Sequence, residues 1–294
     1  VADEAKSIEE KISCCAADVR SSFACWRNKA KQYIDTGLGK GGNGRSESSL
    51  KASRASREGH RLLKKRTVAS CSIAAEHFKK AFDYEQQPSH LRNAAEALNA
   101  VMRMQTNANA ICFEGSNDIP RHKNIWKKYG AESERLASQA LKERPKDPEY
   151  LATYTDSFIF SCSCKGLVKQ ALTGAGSKYQ SLAKDLQRTP SLDSGVGYAL
   201  LGCFYQEAPW PLHSSDKAIK NMKLALQKGG KSRRNLYYAG VVSYKRKEYA
   251  AAADYFKKAA SAPCGSVKEA DFGDWMRSES QRGYKKALQQ HSQE

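Results

Sequence analysis

The chain has 294 residues, 40% of them apolar, enough to fill one large or two small packed domains. Its 49 lysines and arginines against 31 acidic residues leave a formal charge of +18, so acidic surfaces are its natural partners. The longest nearly unbroken apolar run, Tyr198–Tyr205, is far shorter than the ~20 residues of a membrane span, and an integral membrane protein is not expected.

The first residue is Val1 rather than Met. From this we expect a processed chain, delivered to an organelle (mitochondrion or plastid) or to an extracytoplasmic space. Nine cysteines are present, at 14, 15, 25, 71, 112, 162, 164, 203 and 264, so at least one has no partner within the chain. None forms a CxxC pair, and Cys162-Ser163-Cys164 has no nearby histidine. A zinc site needs four ligands at defined spacing; no metal and no cofactor is expected. The cysteines read as small buried hydrophobes, with one or two disulfides among them.

At the N-terminus, Ser7 and Glu10 form a capping box. Ile8, Ile12, Cys15, Val19, Phe23, Trp26, Ala30 and Tyr33 then recur at spacings of three and four. The spacing predicts an amphipathic helix over Ser7–Ile34, about 40 Å long, within an N-terminal element spanning 1–36. Its stripe either packs on the body of the chain or docks a partner through Phe23 and Trp26.

A glycine-rich stretch, Gly37 to Gly44, follows and leads into Ser, Arg and Lys. A phosphate-cradling loop needs GxxxxGK with a hydroxyl residue after the lysine, following a strand. Here Lys40 precedes Gly41 and the preceding segment is helical, so 37–58 is expected to be a connector. Between Lys40 and Arg66 nine basic residues face only Glu47 and Glu58. Arg54, Arg57, Lys64, Lys65 and Arg66 could therefore track a polyanion, tubulin-like or RNA. No aromatics interleave to stack bases, so sequence-specific nucleic-acid reading is not expected.

From Thr67 onward the chain reads as helix after helix. Ala69, Ile73, Ala74, His77, Phe78 and Phe82 keep the spacing, as do Ala94, Ala95, Leu98, Val101 and Met102. The run Leu136–Leu141 stops at Pro145, and Asp147-Pro148 supplies a cap and a first-turn proline for the next helix. No alternating strand with hairpin turns appears. The expected class is all-α.

Self-similarity narrows this further. In tetratricopeptide (TPR) repeats, small residues at fixed positions let two helices approach closely, while large residues fill the gaps. With Gly240 on the small position of the first helix, Leu236 and Ala239 take packing positions, and Ala252, Phe256 and Ala259 those of the second. The preceding unit matches through Tyr198, Leu201, Gly202 and Tyr205, then Ala218, Met222 and Ala225. Gly202 and Gly240 lie 38 residues apart instead of the usual ~34, because the turn Ala208–Ser215 carries an insertion. The units run 195–232 and 233–265, preceded by one at 148–190 and a half-visible one from Ala94 to Pro145. The α-solenoid is expected over 59–290, with a closing helix at 266–288.

Several blocks carry a family resemblance. They are Lys165-Gly166-Leu167-Val168-Lys169, Gly195 to Tyr205 with Ala208-Pro209-Trp210-Pro211, Asp216-Lys217-Ala218, and Arg234-Asn235-Leu236-Tyr237-Tyr238. Over Glu132 to Leu288 the chain resembles a divergent TPR group. That group includes the regulator-of-microtubule-dynamics proteins and the periplasmic helical subunit associated with TRAP transporters. The resemblance implies an α-solenoid that binds other proteins or, in the transporter-linked branch, a ligand. It implies no catalytic residues.

No GxSxG or HExxH motif occurs, and the six histidines are scattered, so no enzyme is expected. Repeats of this kind line a concave face with their first helices. Repeat register places Glu149, Ala152, Asp156 and Ile159 there, then Val196, Ala199, Cys203 and Gln206, then Arg234, Tyr237, Val241 and Tyr244. The mixture of acid, base and tyrosine suits a peptide from another protein subunit better than a nucleic acid. The reading favoured is a non-catalytic scaffold or accessory subunit in a larger assembly. The alternatives are an extracytoplasmic ligand-binding protein and a polyanion binder.

Overall fold

The computed structural model describes residues 46–165, 174–230 and 232–293. The expected N-terminal helix, with Phe23 and Trp26, and the glycine-rich stretch 37–44 lie outside the described residues. Within them the regular structure is twelve α-helices and two short 3-10 turns, with no strand.

The helices are α1 (Glu47–Leu63), α2 (Val68–Tyr84), α3 (Pro88–Thr106), α4 (Pro120–Glu143), α5 (Pro148–Ser163) and α6 (Ala175–Leu186). They continue with α7 (Val196–Glu207), α8 (Ser215–Gly229), α9 (Arg233–Lys245), α10 (Tyr249–Ser261), α11 (Val267–Ala270) and α12 (Gly273–His291). Local chemistry explains their starts. Prolines occupy the first turns of α3, α4 and α5, where a missing N–H costs nothing. Thr67 and Ser70 form a reciprocal capping box on α2. Asp147, Ser214 and Ser232 accept backbone N–H bonds at the starts of α5, α8 and α9.

From α1 to α10 each helix packs on the next, and α3 with α5, α7 with α9 and α9 with α12 also touch. Such a chain of helix pairs, each contacting its neighbours, is an α-solenoid. The close approaches fall where the repeat register places them. A side-chain carbon on Gly240 would lie 2.7 Å from the Phe256 ring, and one on Gly202 would lie 2.6 Å from the Met222 methyl group. At Gly240 the neighbour is a rigid ring that leaves no room for a side chain; at Gly202 it is the flexible end of Met222.

Residues 47–58 correct the expected connector. They belong to α1, which packs along α2. Its buried face is built from Ala52, Gly59 and Leu62, and a side-chain carbon at Gly59 would stand 2.8 Å from the Phe78 ring. Small residues at helical spacing make this face, which a Ser/Arg-rich composition conceals.

The six described cysteines are free thiols, Cys71, Cys112, Cys162 and Cys203 among them buried. No described helix is long and apolar enough to cross a membrane.

Candidate functional site

The register positions expected on the concave face converge, but they do not form an open groove. Asp156, Ile159, Val196, Ala199, Cys203 and Arg234 line one small cavity of about 90 Å³. Tyr237 and Tyr244 lie farther along, beneath segment 107–119. That thirteen-residue connection between α3 and α4 is longer than the 2–8 residues usual between helices.

Its entry is strained. Asn107, Ala108 and Asn109 all adopt the left-handed region, with φ of 51°, 54° and 50°. Asparagine tolerates this; at Ala108 it costs about 1–2 kcal/mol. Beyond it the segment bends at 113–115 and 117 as it crosses the last repeat, and the Asn117 side chain donates back to the Ala110 carbonyl at 2.8 Å. The hydroxyl of Tyr237, itself fully buried, donates to the carbonyl of Ile111 at 3.1 Å. Phe113 enters an aromatic box, with ring centroids 5.3 Å from Tyr244 and 5.4 Å from Phe256 and the Arg282 guanidinium 4.2 Å above its face. Glu114 accepts from the Tyr244 hydroxyl at 3.3 Å and from Arg282 at 3.1 Å, with the Lys286 ammonium 3.9 Å away. Burial raises the phenol of Tyr237 well above its ordinary value, and burial together with Glu114 raises that of Tyr244. Both hydroxyls therefore stay protonated and able to donate.

A buried ion network closes the other side. Asp271, whose carboxylate is wholly buried, accepts from Arg66 Nε at 2.8 Å and from Arg103 Nε at 2.8 Å. Arg103 also binds Asp156 at 2.8 Å and pairs with Glu96. Lys268 stands 3.9 Å from Glu96. Burial pushes the Asp156 carboxyl above its usual range, and Arg103 offsets only part of that. For Glu96 burial acts in the same direction, but Arg103, Lys268 and Arg66 outweigh it and hold the carboxyl low. Arg234 is bound to Asp193 at 3.0 Å and to the carbonyls of Asp193 and Ser194. Glu269 accepts from the backbone N–H groups of Arg234 and Gly265, and so caps α9.

The expected partner-binding residues thus meet different fates. Asp156, Arg234 and Tyr237 are committed to the chain's own contacts, and Gln206 is buried. Glu149 lies exposed at the start of α5, 3.8 Å from Arg92. Tyr244 meets Glu114. Of the basic set, Arg54, Arg57, Lys64 and Lys65 are exposed, whereas Arg66 belongs to the Asp271 network. Contacts remote in sequence take these positions: Arg103 of α3 holds Asp156, Asp193 and Ser194 hold Arg234, and Ile111 of segment 107–119 holds Tyr237. Arg103, Phe113, Glu114 and Asp271 carry no local signal. Trp210 carries one, a bulky aromatic between two prolines, which reads at sequence level as a turn.

Trp210 marks the open part of the surface. It is 89% exposed, beside Leu212 at 44%. Both rim a cleft of about 370 Å³ whose walls include Phe158, Ile159, Tyr179 and Phe204. Among the described residues no three His, Cys, Asp or Glu side chains gather to hold a metal.

No family model matches the sequence, and no curated protein is significantly similar to it. Solved structures are. The structure of a thermophilic TPR protein of Thermus thermophilus superposes with a TM-score of 0.53 at 13% identity, covering 79% of this chain and 98% of that one. The TPR2AB domain of yeast Sti1, in its pHSP90 complex, gives a TM-score of 0.31 at 18% identity, covering 81% of this chain and 98% of that one. The first likeness shows the fold. The chain is an all-α, TPR-like solenoid.

Proposed function

We propose that the chain is a non-catalytic scaffold, an accessory subunit that docks other proteins within a larger assembly. The TPR-like fold supports this, and so does the resemblance of residues 132–288 to a TPR group whose members bind proteins. The observation that carries it is Trp210. An indole 89% exposed beside an apolar cleft is an interface anchor awaiting its pocket. Pro209 and Pro211 flank it and limit the ordering entropy that docking would cost.

A second reading rests on α1 and the turn after it, where Arg54, Arg57, Lys64 and Lys65 are exposed with no carboxylate within 4 Å among the described residues. Such a stripe suits an acidic surface. One experiment separates the two: purification of the tagged chain from native source, compared with Trp210→Ala and with the four basic residues neutralised. Under the scaffold reading, Trp210→Ala loses the co-purifying proteins at unchanged Tm, and the neutralised chain keeps them. Loss confined to the neutralised chain, with steep dependence on salt, supports the polyanion reading instead. A chain that runs as a free monomer throughout contradicts the scaffold reading.

A further inference from the structure

Segment 107–119 packs on the last repeat through Ile111, Phe113 and Glu114. Three features of its docking are those of a peptide site. A buried tyrosine hydroxyl takes a backbone carbonyl, at Ile111; an aromatic box closed by a guanidinium takes a ring, at Phe113; and two cations with a phenol take the next carboxylate, at Glu114. Tyr237 and Tyr244, the positions that repeat register assigns to partner binding, supply two of these contacts. The occupant enters through three left-handed residues, bends at 113–115 and contacts groups 126 to 172 positions away in sequence. Its first turn is strained at Ala108.

We propose that the groove formed by α9, α10 and α12 is a recognition site for a protein segment in which an aromatic residue is followed directly by an acidic one. Segment 107–119 occupies the groove in cis until such a partner displaces it. The same segment also forms a wall of the Trp210 cleft through residues 109–112 and 115–118, and the test reads the groove alone, through Arg282 and the probe's glutamate. Tethered at both ends, the native segment has a high effective concentration, so a free peptide competes poorly against the unaltered chain. A weakened cis segment opens the site.

The test uses the whole chain and a fluorescein-labelled synthetic peptide of residues 109–117, read by fluorescence anisotropy. Phe113→Ala/Glu114→Arg removes the cis ring and charge. Glu114→Arg alone changes one partly exposed side chain and guards against loss of folding in the double variant. Both should bind the probe at least tenfold more tightly than the unaltered chain, the double variant more so. Adding Arg282→Ala, or replacing the probe's glutamate with lysine, should weaken binding at least tenfold. The proposal is overturned if neither variant binds the probe more tightly than the unaltered chain. It is equally overturned if binding ignores both Arg282 and the probe's glutamate, because the probe then sits elsewhere.

Discussion

Replacing Asp271 with alanine is expected to destabilise the protein by about 3–5 kcal/mol, more than any exposed substitution. The carboxylate is wholly buried and accepts from two guanidinium groups, those of Arg66 and Arg103. Arg103 is itself only 4% exposed and, although it keeps Asp156 and Glu96, its Nε loses its acceptor when Asp271 goes. Breaking a buried pair costs more than forming it gains, because the remaining charge stays desolvated. In a body of this size the loss corresponds to a fall in Tm of roughly 6–20 °C. Thermal and urea unfolding would measure it, with Asp271→Asn, which keeps an acceptor but no charge, falling between. A change below about 1 kcal/mol would mean the network is solvated like a surface pair.

Phe256→Ala should cost about as much, roughly 3–5 kcal/mol, for a different reason. The ring is fully buried between two glycines: a side-chain carbon on Gly240 would lie 2.7 Å from it, and one on Gly283 would lie 2.8 Å away. It also forms a wall of the Phe113 box. Removing it leaves a cavity that two helix backbones cannot collapse to fill. A double-mutant cycle makes the test specific. Gly240→Ala overpacks the native pair by about 1–3 kcal/mol, and in the Phe256→Ala background that penalty should vanish. Strict additivity of the two changes would show that the ring does not separate these helices.

These two sites differ in how far the sequence reveals them. The Gly240–Phe256 contact is legible because repeats are local: both partners belong to one helix pair, and the spacing of small and large residues records how the helices meet. Gly202 and Met222 repeat the pattern one unit earlier. Helix α1 is half legible. Its buried face of Ala52, Gly59 and Leu62 is narrow, and the charged residues around it dominate any composition-based reading. Asp271 and Phe113 are not legible at all. Asp271 meets Arg66 across 205 positions and Arg103 across 168, and nothing in the neighbourhood of either residue marks the contact. Repeat register does not foresee the remote contacts that cover these positions, and Arg234 and Tyr237 emerge as internal contacts.

The account turns on whether segment 107–119 lies in the groove, and Cys112 reports on it directly. Its side chain is buried by docking, and burial raises its thiol to about 11, so little reactive thiolate forms near neutral pH. The measurement is the rate of alkylation of each cysteine in the native full chain, followed by mass spectrometry. Cys112 should react as slowly as buried Cys203 and much more slowly than half-buried Cys264, and Glu114→Arg should accelerate it. Alkylation of native Cys112 at the rate of the denatured chain would place the segment in solvent, and would contradict the occupied groove.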